Sequence, residues 1–162
     1  MKTIVLKLSC LLLLLASLPL AAEEAFWVPR KEPLVERNWT AYVPANKEFA
    51  KQAILLHAVL PGESVEVRQV LGAMYKEVES LKVLGRKPVE WRDGEGTLVS
   101  FSGKQKNRSI VGRAVIAPSE AGTEVVLLVR DPAADSRIMQ SFESLRLRVP
   151  EFLSLKSKPL GG

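Results

Sequence analysis

Between residues 89 and 130 the chain is a succession of short β-branched and aliphatic runs punctuated by turn residues, and this alternation limits the folds open to it more than any other feature. Val89 to Arg92, Thr97 to Ser102, Arg108 to Ala117 and Thr123 to Arg130 carry the apolar side chains. Asp93-Gly94-Glu95-Gly96, Gly103 to Asn107 and Pro118 to Gly122 supply connections of hairpin length. The economical outcome is an antiparallel meander of four strands. Val125 to Val129 is apolar without interruption, which predicts that this part of the sheet is covered on both faces.

The covers come from two helical patterns. After Ser64, a good N-cap, Val67, Val70, Leu71, Met74, Val78 and Leu81 fall at steps of three and four, and Gly85, Arg86, Lys87 and Pro88 read as the stop. Pro132 to Ser144 forms a second helix, with Asp131 as cap and Ile138, Phe142 and Leu145 on its buried side, followed by a short closing strand over Leu145 to Val149. Ala53 to Leu60, ending at Pro61-Gly62, reads as a central strand. The expected fold class is therefore α+β, an antiparallel β-sheet covered by helices on both faces, that is, an α/β/α sandwich.

The ends of the chain read differently. Lys2 and Lys7 precede an apolar run from Leu8 to Leu20 and the small pair Ala21-Ala22, which has the form of an export signal over residues 1–22. That run is short for a membrane span and is followed by Glu23 and Glu24, so no transmembrane segment is expected in the mature form. Residues 23–49, with Phe26, Trp27, Trp39, Tyr42 and Phe49 scattered among prolines, predict an extended arm pinned by its aromatics, with Trp39 to Val43 as its best strand. Residues 150–162 predict a flexible tail, and the span 23–149 a single domain.

Charge and cysteine content narrow the function. The chain has 23 basic and 18 acidic side chains, and two of the lysines belong to the leader, so little positive excess remains to favour nucleic acid as a partner. Cys10, the sole cysteine, lies within the leader; the mature fold has no disulfide or thiolate metal site and must stand on its core. Lys7 stands where a lipoprotein signal wants an aliphatic residue, which argues against lipidation of Cys10.

No catalytic constellation is legible. One histidine and no Gly-x-Ser-x-Gly motif exclude the commoner zinc, thiol and hydrolase designs, and neither metal nor cofactor is expected. His57, inside an apolar strand, reads as a buried hydrogen-bonded side chain; the catalytic alternative, a small hydrolase or isomerase, would pair it with a carboxylate such as Asp93 or Glu95 in an accessible cleft. The Asp93 to Gly96 run lacks the ligand spacing of a calcium loop and the lysine of a phosphate loop. Lys104, Lys106, Arg108 and Arg113 make the densest basic patch, on one expected hairpin without interleaved aromatics, and form the candidate binding face. Asn38-Trp39-Thr40 matches a glycosylation acceptor, relevant only in a cell that has that machinery.

The order of elements, with the helix ending Glu79-Ser80-Leu81 and the closing Phe142-Glu143-Ser144-Leu145-Arg146-Leu147, resembles the PsbP/DcrB-like superfamily of small exported α/β/α proteins over roughly Trp39 to Val149. The resemblance implies a non-catalytic accessory or binding role and brings no catalytic residues with it. The resulting expectation is an exported, periplasmic or secreted binding or accessory protein of the bacterial envelope, with a protein partner or ligand there. A carrier of small apolar ligands is the further alternative, requiring a cavity between the sheet and the Ser64 helix.

Overall fold

The computed structural model describes residues 25–30, 39–61, 69 and 78–153. The leader, Asn38 of the acceptor motif, the tail beyond Leu153 and the Ser64 helix up to residue 77, apart from Gln69, which is helical, lie outside the described residues.

The meander forms, with tighter turns and longer strands than the turn clusters imply. Its strands are β4 (Val78–Trp91), β5 (Gly94–Gln105), β6 (Arg108–Ser119) and β7 (Gly122–Arg130). Two residues suffice at each reversal: positive-φ turn residues match the twist of the flanking strands at the first two, and at the third the positive φ falls on Gly122, which opens β7. Lys106 and Asn107 take φ of 48° and 63°, and Arg92 opens the first turn at 53°. Gly94, Gly96 and Gly103, expected in loops, are ladder residues.

The sheet is completed by three strands from the first part of the chain, β1 (Trp27–Pro29), β2 (Trp39–Pro44) and β3 (Ala53–Leu60). All seven strands pair antiparallel in the order β1-β2-β3-β7-β6-β5-β4. The expected arm is thus built into the sheet. Trp27, Tyr42 and Phe49 are buried, and the Phe26 and Trp27 rings meet edge to face at 5.3 Å.

The sandwich expectation is overturned. The molecule is dominated by its sheet, and among the described residues one short helix, α1 (Ser136–Leu147), lies on it besides the isolated helical residue Gln69. Val78 to Leu81, expected as a last helical turn, and Gly85 to Pro88, expected as its stop, belong to β4. The register of β4 against β5 breaks between Glu79 and Lys82 and again between Val83 and Gly85. A bulge adds a residue to one strand, so side chains three apart return to the same face. Val78 and Leu81 accordingly both pack on one apolar cluster, with a spacing that reads equally well as helical.

The closing strand is also absent. Leu145 to Leu147 continue α1, because Ile138, Phe142 and Leu145 keep the helical period and all three are buried. Asp135 caps the helix by accepting from the Arg137 backbone N–H, while Asp131, the expected cap, accepts from the Ala133 N–H four residues short of the helix. A 3₁₀ turn, Glu151–Leu153, follows, and Leu153 is wholly buried where a loose tail was expected to begin.

Each face of the sheet carries its own apolar cluster. Under α1 lie Leu55, Leu98, Val115, Val126 and Leu128 with Trp27, Tyr42 and Trp91. On the opposite face Leu56, Val99, Phe101, Val125 and Leu127 are as inaccessible. Gly112 on β6 belongs to this second face, where the Phe101 ring lies directly over it. A Cβ at 112 would collide with the Leu128 carbonyl oxygen and that ring. Gly112→Ala is expected to destabilise the domain by about 3 kcal/mol through overpacking. Urea unfolding of the variant beside the parent measures this, and coincident transitions would refute the packing of Phe101 on the β6 backbone.

Candidate functional site

The sequence expectation for His57 was a buried hydrogen-bonded imidazole, and its partner was not among the residues considered. His57 on β3 stands opposite Val126 on β7, so Glu124, two positions along β7, shares its face. The imidazole Nε2–H donates to Glu124 Oε1 at 2.9 Å. Trp91 and Arg92 reach the same carboxylate from β4 and its turn. Trp91 Nε1 donates to Oε2 at 2.7 Å, and Arg92 donates through Nε and Nη2 at 2.7 Å each, bidentate on the two oxygens.

Small residues make this reach possible. Glu124 is paired with Ala117 on β6, and a side chain at Gly96 on β5 would meet the Ala117 Cβ at 3.0 Å and the Trp91 Cβ at 3.5 Å. Across the strands between Glu124 and Trp91, therefore, no long side chain stands up from these positions.

Glu124 is 1% exposed and His57 9%. Burial alone would push the Glu124 carboxyl up, but hydrogen bonds from Arg92, His57 and Trp91, with the Arg92 charge beside it, bring it down to about 2. The Arg92 guanidinium is raised in turn, first by its hydrogen bond to Glu124. The same guanidinium donates to the Leu153 carbonyl, and the Tyr42 hydroxyl donates to the Phe152 carbonyl at 3.0 Å. Burial raises the Tyr42 phenol above its ordinary value. The cluster therefore ties β2, β3, β7, the β4–β5 turn and the C-terminal 3₁₀ turn together.

Chemically the carboxylate is occupied, since four donated hydrogen bonds cover both oxygens. Asp93 and Glu95, the acids considered as partners for His57, are exposed on the β4–β5 hairpin and make no bond to it. Among the described residues no cluster of three or more His, Cys, Asp or Glu could hold a metal ion.

The four cations expected to form one face are dispersed over three places. Lys104 and Lys106 are exposed near the β5–β6 turn. Arg113 shares the α1 face with Val115, and its guanidinium is engaged by Glu143 of α1, which also pairs with Arg146. Arg108 instead lines a groove of about 610 Å³ at one end of the sheet. Arg30, Lys51 and Arg130 line it too, with Asp131 as its acidic residue. Its apolar lining comes from Val43, Ile54, Ile110 and Val129. Arg30 and Lys51 carried no signal in the sequence, because only the β2-β3-β7 order, non-consecutive in the chain, brings them to Arg108.

Gln52 holds two walls of this groove in place. Its carbonyl accepts the Asp131 N–H at 2.9 Å and its side-chain Oε1 accepts the Asp135 N–H at 2.8 Å. The loop before β3 is thereby fixed to the β7–α1 junction. Arg137 adds a cation–π contact, 4.4 Å above the Phe49 ring.

No known family model and no curated protein matches the chain. Solved structures do, among them a protein of unknown function, PA94, from Pseudomonas aeruginosa, with 14% identity over 87% of this chain and 89% of that one and a TM-score of 0.46. At this level of likeness nothing about ligand or partner transfers. No helix among the described residues is long and apolar enough to cross a membrane.

The Glu124 cluster has two measurable consequences. Glu124→Ala leaves the Arg92, His57 and Trp91 donors without their acceptor and is expected to cost about 3–5 kcal/mol in chemical unfolding at pH 7; a loss below about 1 kcal/mol would refute the network. Because the folded carboxyl lies at about 2, below its ordinary 4.5, its contribution is complete above pH 4.5 and is lost as pH falls through 2. The parent is expected to lose stability across that window more steeply than Glu124→Gln. Parallel acid-melt profiles would contradict the depressed carboxyl.

Proposed function

We propose that the chain is exported by its N-terminal segment and serves as a non-catalytic binding or accessory protein of the bacterial cell envelope, with the groove at the β3–β7 end of the sheet as its binding face. The observation that carries this reading is the assembly of Arg30, Lys51, Arg108 and Arg130, from four separate parts of the chain, around an apolar lining. An open groove that sets charged and polar side chains beside apolar ones has the two kinds of contact a recognition site uses. The state of Glu124 supports binding over chemistry. A general base needs a free lone pair within reach of substrate and a pKa near the working pH, and this carboxylate has neither.

The test is position-specific crosslinking in the producing cell. A photo-reactive side chain at Gln105, which lines the groove, is expected to give a discrete adduct in the envelope fraction, and one at Glu95, on the exposed β4–β5 hairpin, is expected to give none. Equal labelling at the two positions, or none at either, would sink the assignment. Recovery of the protein in the cytoplasm with residues 1–22 intact would sink the export reading.

A further inference from the structure

We infer that the groove receives an acidic, partly apolar peptide segment of its partner, bound extended with carboxylates toward the cationic rim and alternate apolar side chains toward Val43, Ile54, Ile110 and Val129. This assignment rests on the groove being the binding face. Charge complementarity comes first. Among the described residues that line the groove four are cationic and one, Asp131, is acidic, a stronger bias than the 23 basic to 18 acidic residues of the whole chain.

The chain itself shows how a carboxylate is received there. Asp131 Oδ2 lies 3.5 Å from Arg108 Nη2, a long and exposed pair, while its Oδ1 is occupied by the Ala133 N–H. An exposed pair of this kind contributes little and can be replaced by a partner's carboxylate at small cost. Arg130 is held differently, donating to the Asp131 and Pro132 carbonyls at 3.1 and 3.3 Å, which fixes its guanidinium beside the groove.

Shape and composition separate this occupant from others. At about 610 Å³ the groove is far larger than the space a single small ion needs, so a lone phosphate would leave most of it empty. Among the described residues no aromatic side chain lines it, so they offer no platform on which to stack nucleic-acid bases. Ile110 and Val129 are buried in its floor, whereas a membrane-binding surface projects its apolar side chains outward. An extended peptide, whose side chains alternate between two sides, can present acids to the rim and apolar groups to the lining at once.

The test uses the protein as isolated from its expressing cell and a fluorescent peptide of alternating glutamate and leucine. Saturable binding is expected, weakening with salt and by at least about tenfold in the double variant Lys51→Glu, Arg108→Glu, whose thermal melt is expected to match the parent's because both residues are exposed. The charge-matched double variant Lys82→Glu, Lys87→Glu, on the far edge strand, is expected to bind as the parent does. Equal binding of an alternating lysine-leucine peptide, or unchanged affinity in the Lys51/Arg108 variant, would overturn the inference. So would binding of phosphatidylglycerol vesicles or inorganic phosphate in place of the acidic peptide. The Gln105 crosslink keeps the two readings apart: an adduct with a partner that has no acidic segment overturns the peptide assignment and leaves the binding face standing.

Discussion

A carboxylate at 1% exposure would ordinarily be a liability in a sheet of this kind, because a buried charge without partners is protonated or expelled. Glu124 escapes that fate through donors brought by His57, Trp91 and Arg92 from elements that are far apart in sequence. The dependence runs both ways. The Arg92 guanidinium, half turned toward Glu124 and half toward the Leu153 carbonyl, gives the C-terminal segment an anchor, and Arg92 itself holds a φ of 53° that only a well-determined turn sustains. The α1 face of the sheet, from β3 across to β4, is therefore specified by a polar network as well as by apolar burial, and every one of the carboxylate's partners must be in register for it to form.

The parts of this fold that depend on local chemistry were legible, and those that depend on register were not. β3 runs from Ala53 to Leu60 as its apolar run and the Pro61-Gly62 pair imply. The meander was legible for the same reason, each turn being written in residues that tolerate tight reversal. Val78 and Leu81 misled because a bulge and a helix both bring residues three apart to one face, and spacing cannot tell them apart. The expected final strand failed because Leu145 serves helix and strand equally, and only the contact of α1 with the sheet decides between them. Glu124, the one acid within Gly122–Arg130, was visible as an oddity in an apolar strand, but its partners become neighbours only when β3 pairs with β7. Of the candidate basic face, Arg108 lines the groove, whereas Arg113 faces α1.

The edges of the sheet show a different constraint. β4 is fourteen residues long and lies at the outer edge, where unpaired backbone groups invite another strand. Its two register breaks, Pro88, and the charges of Lys82, Arg86 and Lys87 all work against continuous pairing. The opposite edge, β1, is only three residues long. Both edges are thus poor templates for strand addition.

At the groove end of the sheet the backbone is held by hydrogen bonds within the fold. Gln52 uses its main-chain carbonyl and its side-chain oxygen to bind two successive parts of the β7–α1 connection, and its side-chain nitrogen donates to the Glu48 carbonyl at 3.0 Å. Loops are usually where a sheet protein is least ordered, and ordering them on binding costs affinity. Here that ordering is supplied by hydrogen bonds within the fold, while the cationic side chains of Lys51 and Arg108 stay exposed at the rim. A hydrogen-bonded backbone with exposed charged side chains fits the proposed mode of recognition, in which electrostatics steer the encounter. The Glu124 network lies elsewhere, under α1, and its donors and acceptors are committed to one another. Among the described residues the buried Glu124 charge is therefore matched and structural, while Lys51 and Arg108 are exposed where separate segments of the chain converge.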